Sequence, residues 1–108
     1  MTSAIQVKPI SGALGAEIDG VDLASDLSNE AFDQVHQAFL DHHVIFFRGQ
    51  HGLTPEKHKA FGRRFGELHV HPTAPSPEGH PEILLVSNKT KDGEYVGLPD
   101  AGRFWHTD

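Results

Sequence analysis

The chain has 108 residues, of which 37% are hydrophobic, and its formal net charge is −6. This length corresponds to one domain or part of one. The acidic balance argues against a nucleic-acid partner and against a polybasic membrane patch. The lack of cysteine excludes disulfide scaffolds, thiolate zinc sites and cysteine nucleophiles. The N-terminus has no signal-peptide pattern and no apolar run is long enough to span a bilayer, so we predict a cytoplasmic protein with no membrane partner.

The first third of the chain predicts a hairpin followed by a helix. Residues 5–18 alternate apolar and polar side chains and contain glycines, which favours a hairpin or two edge strands. Ser28 is suited to cap a helix over residues 29–41, because a serine hydroxyl accepts a hydrogen bond from an unpaired N–H of the first turn. The residues expected to form the buried stripe of this helix are Phe32, Val35 and Phe39.

A strand and a second helix are predicted next. The apolar run from Val44 to Phe47 is typical of a buried central strand. Thr54 is a suitable N-cap, and Pro55 fits the first helical position, where its missing N–H costs nothing. We expect Gly66 to end this helix. The residues expected to form its buried stripe are Ala60, Phe61 and Phe65.

The last part of the chain predicts mostly loops with short strands. Four prolines over residues 67–81 exclude a helix there. Residues 83–86 are apolar and predict a strand, residues 88–93 a turn that includes a glycine, and residues 94–96 a second short strand. Residues 99–102 predict a loop that leads into the final segment.

The final segment, Trp105-His106-Thr107-Asp108, carries the strongest chemical signal. Side chains two positions apart point the same way on an extended segment, so His106 and Asp108 would lie side by side. A histidine and a carboxylate are two of the three ligands of the 2-His-1-carboxylate site of non-haem Fe(II) oxygenases. The third ligand would have to be a distal histidine. The spacing alone is a weak signal, because a chain with nine histidines forms such a pair by chance.

Further short motifs extend over nearly the whole chain. They are Gly15-Ala16-Glu17-Ile18, Gly20-Val21-Asp22-Leu23, Val44-Ile45-Phe46-Phe47-Arg48 with Gln50, Thr54-Pro55, Phe65-Gly66-Glu67-Leu68-His69-Val70-His71-Pro72, Pro81-Glu82-Ile83 and Trp105-His106-Thr107-Asp108. In their order and spacing, the chain resembles the taurine dioxygenase (TauD/TfdA) family of Fe(II)- and 2-oxoglutarate-dependent oxygenases. The resemblance implies an α+β fold in which residues 1–108 form the N-terminal portion of a double-stranded β-helix (jelly-roll) domain, with helices packed outside it.

The resemblance also implies a metal site and a reaction. His106 and Asp108 would be iron ligands, with Fe(II) as cofactor and with 2-oxoglutarate and O₂ as cosubstrates. Three protein ligands leave three coordination positions, two for the keto acid and one for O₂. The implied activity is hydroxylation of a small, anionic organic substrate with release of succinate and CO₂. The distal histidine and the arginine that binds 2-oxoglutarate would lie beyond residue 108, so we expect residues 1–108 alone to be inactive.

The resemblance assigns a substrate contact as well. His71 matches the family histidine that hydrogen-bonds the anionic head of the substrate, and we expect it in the same cavity as His106. Taurine-type members have a tyrosine three residues after this histidine and an asparagine four residues before the metal histidine; here these positions are Ala74 and Gly102. Both departures put taurine itself in doubt. Asn88 is a candidate replacement contact, with a surface turn as the competing interpretation.

Two other hypotheses compete with the enzyme. One is a non-catalytic truncated fragment or interaction module derived from such an enzyme; a distal histidine downstream of residue 108 would argue against it. The other is a histidine-rich zinc-binding domain, which is weak because, without cysteine, zinc needs three or four convergent histidine or carboxylate groups. The sequence leaves the substrate open, and also whether the full-length protein is a homo-oligomer.

Overall fold

A computed structural model describes residues 5–106, which contain two helices and two small sheets. In chain order the elements are β1 (Gln6–Pro9), β2 (Ala16–Asp19), α1 (Asn29–His42), β3 (Ile45–Phe46), α2 (Pro55–Arg63), β4 (Thr90–Lys91) and β5 (Glu94–Tyr95). The chain divides into two units, Met1–Gly66 and Glu67–Asp108. This confirms the predicted α+β class. Neither helix in the described part of the chain is long and apolar enough to cross a membrane.

Strands β1 and β2 form the predicted antiparallel hairpin. The connection closes where the N–H of Ile10 donates to the carbonyl of Gly15 at 3.0 Å. Gly15 has a φ of +94°, and a Cβ at this position would lie 3.0 Å from the side chain of Ile10. Only glycine adopts such a backbone conformation without strain while leaving room for its neighbour, so the glycine fixes this turn.

Helix α1 begins as predicted and buries a slightly different face. The hydroxyl of Ser28 accepts a hydrogen bond from the N–H of Ala31 at 3.0 Å, as an N-cap does. The buried residues of the helix are Phe32, Val35 and Ala38. The prediction that Phe39 completes the stripe is wrong, since this side chain is 39% exposed. A helix turns 100° per residue, and here the buried face includes Ala38 in place of its neighbour Phe39.

Strand β3 is at the edge of the sheet, so the prediction of a buried central strand over residues 44–47 is wrong. The sheet order is β1-β2-β3, and β3 pairs in parallel with β2 over only two residues. The central strand is β2, in which Ala16 and Ile18 are 0% and 2% exposed. Because the antiparallel hairpin already occupies one side of β2, β3 takes the other side and is half-buried.

Helix α2 has the predicted cap, but none of its residues is buried. Thr54 accepts a hydrogen bond from the N–H of Lys57 at 3.3 Å, and the helix ends at Arg63, before Gly66. The predicted buried stripe is therefore wrong. The ring of Phe61 is half-buried and lies 5.2 Å from that of Phe65, which is 41% exposed. These rings stabilise the unit through edge-to-face contacts at its surface.

The second unit is largely irregular. The predicted turn is present at Asp92 and Gly93, which have φ of 55° and 80°, but Thr90–Lys91 is a strand of the hairpin and not part of the turn. The predicted strand over residues 83–86 is wrong, because only Val86 pairs, in a single parallel bridge with Leu98. The residue after Leu98 is Pro99, which has no N–H to donate, so the strand pairing does not continue beyond the bridge.

Candidate functional site

The side chain of His106 is held by the backbone of its own segment. Its Nδ1 lies 2.7 Å from the carbonyl oxygen of Phe104. A carbonyl only accepts hydrogen bonds, so we assign the hydrogen to Nδ1, and in the neutral ring the lone pair is then on Nε2. Metal-binding histidines commonly donate their second ring N–H to a carbonyl or carboxylate, which fixes the ring orientation. The geometry of His106 therefore fits a metal ligand that binds through Nε2.

His106 lines an open cavity of about 350 Å³. The other lining residues are Asp100, Gly102, Arg103 and Phe104. The guanidinium of Arg103 lies 3.4 Å from the carboxylate of Asp100 and 5.6 Å from the ring centre of Phe104. Both contacts are local and solvent-exposed, so they contribute little to the stability of this loop.

Gly102 occupies the position at which taurine-type members have an asparagine. Its φ is +82°, in the left-handed region where glycine is favoured. A Cβ at this position would lie 3.6 Å from Cε1 of His106, which is ordinary contact distance. Neither the backbone conformation nor the space at this position excludes asparagine, so the structure does not explain this departure.

Asp108 lies outside the residues that the structure describes, so its convergence with His106 stays a prediction. Within residues 5–106, no three His, Asp or Glu side chains come together as a metal site. This is compatible with a site that draws its remaining ligands from outside this range, since a facial triad needs three.

His71 is fixed by a turn of its own loop. Its Nδ1 accepts hydrogen bonds from the backbone N–H groups of Thr73, at 3.3 Å, and of Ala74, at 3.0 Å. Because an amide N–H only donates, Nδ1 must be the acceptor, and the ring hydrogen is on Nε2. His71 therefore presents Nε2–H as a donor, which is the group that an anionic ligand would accept from.

The structure does not bring His71 and His106 into one cavity. His71 lines a cavity of about 100 Å³ together with His69 and Ala74, whereas His106 lines the open cavity described above. The prediction of a shared cavity is therefore not met in the described part of the chain. The two amides that bind Nδ1 orient the ring of His71 within its own loop.

Asn88 is exposed in the link between the Val86 bridge and β4. It lines neither the cavity of His71 nor that of His106. The neighbouring Lys89 donates its N–H to the hydroxyl of Ser87 at 3.1 Å, which forms a local turn around Asn88. The structure thus does not place Asn88 with the other candidate residues.

A family model described as taurine catabolism dioxygenase TauD, TfdA family matches residues 6–108. The chain belongs to the TauD/TfdA family. It is 33% identical over 107 residues to an alkylsulfatase of Acinetobacter baylyi, a match that covers 99% of this chain and 31% of that protein. It is 36% identical over 104 residues to an alpha-ketoglutarate-dependent sulfate ester dioxygenase of Pseudomonas putida, covering 96% of this chain and 32% of that protein.

A solved TauD/TfdA structure shares the fold. The crystal structure of a taurine dioxygenase from Burkholderia xenovorans superposes with a TM-score of 0.67 and 45% identity, over 73% of this chain and 28% of that one. The chain therefore spans about a third of the length of the curated relatives that it matches.

Sequence reasoning selected His71 and His106 in this TauD/TfdA chain but missed the backbone groups that orient them. These are the amides of Thr73 and Ala74 and the carbonyl of Phe104. A usable signal was present for His71. In turns, a side-chain acceptor atom bonded to Cγ, such as Nδ1 of histidine, can accept a hydrogen bond from the backbone N–H two residues later. A proline directly after the histidine, as at Pro72, favours such a turn. No comparable signal marks the carbonyl of Phe104.

Proposed function

We propose that residues 1–108 form the N-terminal part of a jelly-roll Fe(II)- and 2-oxoglutarate-dependent dioxygenase domain that oxidises a small organic anion. The observation that carries this proposal is the family match over residues 6–108, which runs through the His106-Thr107-Asp108 segment. We also propose that the rest of the domain supplies the jelly-roll strands and the distal histidine.

The orientation of His106 supports a metal at this segment. With Nδ1–H donating to Phe104, the imidazole offers Nε2 to a metal without a change of tautomer. Asp108 would add a carboxylate oxygen from the same side of an extended chain. Imidazole and carboxylate together, without a thiolate, form the donor set of non-haem Fe(II) oxygenases.

His71 would bind the substrate. Its Nε2–H can donate to a sulfate, sulfonate or carboxylate oxygen, and its Nδ1 is already bound by the loop. Orientation by two backbone amides means that little side-chain freedom is lost when the substrate binds. In this proposal His71 positions the anionic head. Since His71 and His106 line separate cavities in the described residues, the rest of the domain would have to direct the bond that reacts towards His106 and Asp108.

When bound, Fe(II) with 2-oxoglutarate and O₂ supplies an oxidising reaction in which one oxygen atom enters succinate, CO₂ leaves, and the other oxygen atom enters the substrate. The residues of this chain contribute the remaining functions. His106 and Asp108 hold the metal, and His71 holds the substrate.

The anionic character of the substrate has two supports. One is the donor of His71, and the other is that two relatives are named for sulfate esters, as an alkylsulfatase and as a sulfate ester dioxygenase. Taurine is disfavoured, because Ala74 and Gly102 carry no polar side chain to bind it. We therefore propose an organic sulfate, sulfonate or carboxylate other than taurine.

The test is succinate release by the full-length protein. With Fe(II), 2-oxoglutarate and O₂, we expect one organic anion of a sulfate, sulfonate and carboxylate panel to stimulate succinate formation. His106→Ala should reduce succinate release to background. His51→Ala, which changes an exposed histidine far from His106 in the sequence, should leave succinate release unchanged. Wild-type protein that binds no Fe(II) and forms no succinate would support the interaction module instead.

A further inference from the structure

The first unit contains a cavity that the proposed function does not use. It lies between helix α2 and residues 23–27, and its volume is about 190 Å³. We propose that this cavity binds a small organic anion, whose phosphate or carboxylate head is held by Lys57 and Arg64 and whose apolar part packs against Phe61. The proposal requires neither the metal site nor the substrate contact of His71.

The residues that α2 contributes to the cavity share one face of the helix. Lys57, Ala60, Phe61 and the C-cap residue Arg64 all line it. Positions three, four and seven residues after Lys57 lie on the same side of a helix, because 3.6 residues make one turn. The two basic side chains therefore stand about two turns apart, with an apolar strip between them.

The guanidinium of Arg64 is already oriented by the protein. It donates to the carbonyl of Leu27 at 2.9 Å and to the side chain of Asn29 at 3.3 Å, and it lies 4.7 Å from the ring centre of Phe32. A guanidinium has more N–H donors than these two contacts use. Arg64 can thus bind an oxyanion while it keeps its present contacts, and little side-chain freedom is lost in doing so.

The ammonium of Lys57 forms no ion pair with any residue in the range 5–106. The cavity also has one acidic lining residue, Asp26, which weakens the attraction for an anion. Two cations against one carboxylate leave the lining positive, although the chain as a whole carries a net charge of −6. The charge of the lining therefore favours an anionic ligand over a cationic one.

The apolar wall of the cavity is part of the packed core. Leu23 is buried in the core cluster, and Phe61 packs against this cluster with its ring 5.7 Å from that of Phe47. The wall is thus present before a ligand enters. At roughly 30 Å³ for one water-sized group, the space holds about six heavy atoms. An arm of about three carbons together with part of a phosphate or carboxylate group would fill it.

The experiment measures the affinity of the full-length protein for n-propyl phosphate by calorimetry. Fe(II) and 2-oxoglutarate are present and oxygen is absent, so that the keto-acid site is filled. The propyl chain should raise affinity over inorganic phosphate by about eightfold, which corresponds to half burial of three carbons. Butyrate tests the carboxylate head, and whichever of the two organic anions binds more tightly identifies the head. Propylammonium should bind more weakly than either.

Variants locate the binding site in this cavity. Lys57→Gln removes an exposed ammonium and should weaken n-propyl phosphate binding by about three- to fivefold. Lys91→Gln, at an exposed lysine of β4, is the matched control and should leave the affinity unchanged. Ala60→Leu should fill the space beside Phe61 and remove the advantage of n-propyl phosphate over inorganic phosphate.

Two further variants complete the test. Arg64→Lys keeps the charge but loses the planar set of donors, so it should also weaken binding, measured below its unfolding temperature. His71→Ala separates this cavity from the proposed substrate site. We expect n-propyl phosphate binding to persist in His71→Ala, because His71 does not line the cavity.

Three results would overturn the inference. They are a wild-type protein that does not bind n-propyl phosphate, loss of all binding in His71→Ala, and equal affinities of Lys57→Gln and Lys91→Gln. Failure of the proposed function is a different observation, because it appears as absence of succinate release. Binding that depends on Lys57 and not on His71 would support the anion site whether or not the protein turns over 2-oxoglutarate.

Discussion

The side-chain oxygen of Gln50 accepts a hydrogen bond from the backbone N–H of Leu23 at 2.8 Å. The side-chain nitrogen of the same residue donates to the carbonyl of Val21 at 2.9 Å. The side-chain amide of Gln50 thus pairs with the backbone N–H of Leu23 and the backbone carbonyl of Val21, which lie outside the described strands. Val21 and Leu23 are 9% and 8% exposed and belong to the core cluster, so Gln50 holds two core residues in place.

Gln50→Glu should destabilise the protein by about 1–3 kcal/mol. The variant has nearly the same shape, but an ionised carboxylate cannot donate to Val21 and would face its carbonyl. Urea unfolding of wild type and variant measures the difference. Gln34→Glu on the exposed side of α1 is the matched control and should change stability by less than about 0.5 kcal/mol. Equal stability of the two variants would show that the Gln50 contacts contribute nothing.

Gly97→Ala should disrupt the bridge between Val86 and Leu98. A Cβ at this position would lie 2.9 Å from the carbonyl oxygen of Leu85 and 3.0 Å from the backbone nitrogen of Ser87, so the backbone must move. We expect a loss of about 1–3 kcal/mol, as for other overpacked sites. Hydrogen exchange of the Leu98 amide, which donates to Leu85 at 2.8 Å, reports the change directly.

The control for that variant is Gly12→Ala, because nothing lies within 4 Å of a Cβ at Gly12. This substitution should leave exchange at Leu98 unaffected. Unchanged protection of Leu98 in Gly97→Ala would mean that the bridge tolerates a shift of its neighbours.

Arg64→Lys should destabilise the first unit although the charge is kept. The guanidinium donates to the carbonyl of Leu27 at 2.9 Å and to the side chain of Asn29 at 3.3 Å. It also lies 4.7 Å from the ring centre of Phe32. A lysine ammonium cannot make this planar set of contacts. We expect Arg64→Lys to recover less than half of the stability lost in Arg64→Ala, as measured by thermal unfolding.

His106 and Asp108 should act on iron as a pair. In the full-length protein, His106→Ala and Asp108→Ala should each weaken Fe(II) binding strongly. If both bind one ion, the double variant should lose less than the sum of the two single losses, because each single change already removes most of the site. Titration with Fe(II) in the absence of oxygen measures this. Fully additive losses would indicate that the two side chains do not share a metal.

Residues 1–108 alone should release no succinate from 2-oxoglutarate. His106 and Asp108 supply two donors where the site needs three, and none of the four arginines, Arg48, Arg63, Arg64 and Arg103, has the family position after a distal histidine. The assay compares residues 1–108 with the full-length protein at equal iron and keto-acid concentrations. Iron-dependent succinate formation by residues 1–108 would contradict the proposed division of the site.

Local signals predicted the parts of the fold that depend on neighbouring residues. The Ser28 cap and the Thr54-Pro55 start were visible because capping requires a particular side chain at a particular position. The place of β3 in the sheet was not visible. An apolar run signals burial, but the partner of a strand and its distance from the sheet edge depend on residues far away in sequence.

The same difference applies to the candidate site. The direction of His106 relative to Asp108 is a local property that their spacing predicts, and it stays a prediction because Asp108 lies outside the described residues. The position of His71 relative to His106 depends on how two loops of the second unit fold. In the described residues the two histidines line separate cavities and not the shared cavity that was predicted. The Ala74 amide that directs His71 lies only three residues away, and the histidine followed by Pro72 was a local signal for that turn, but it carries no information on the distance to His106.

The parallel pairing of β2 with β3 makes α1 a necessary connection between two neighbouring strands. Two parallel neighbours cannot be joined by a tight turn, so the chain between Ala16 and its partner Ile45 crosses over through α1. Val35 of α1 and Ile18 of β2 are both fully buried in one cluster. We therefore expect Val35→Ala to slow folding, and Val7→Ala, on the outer strand, mainly to speed unfolding.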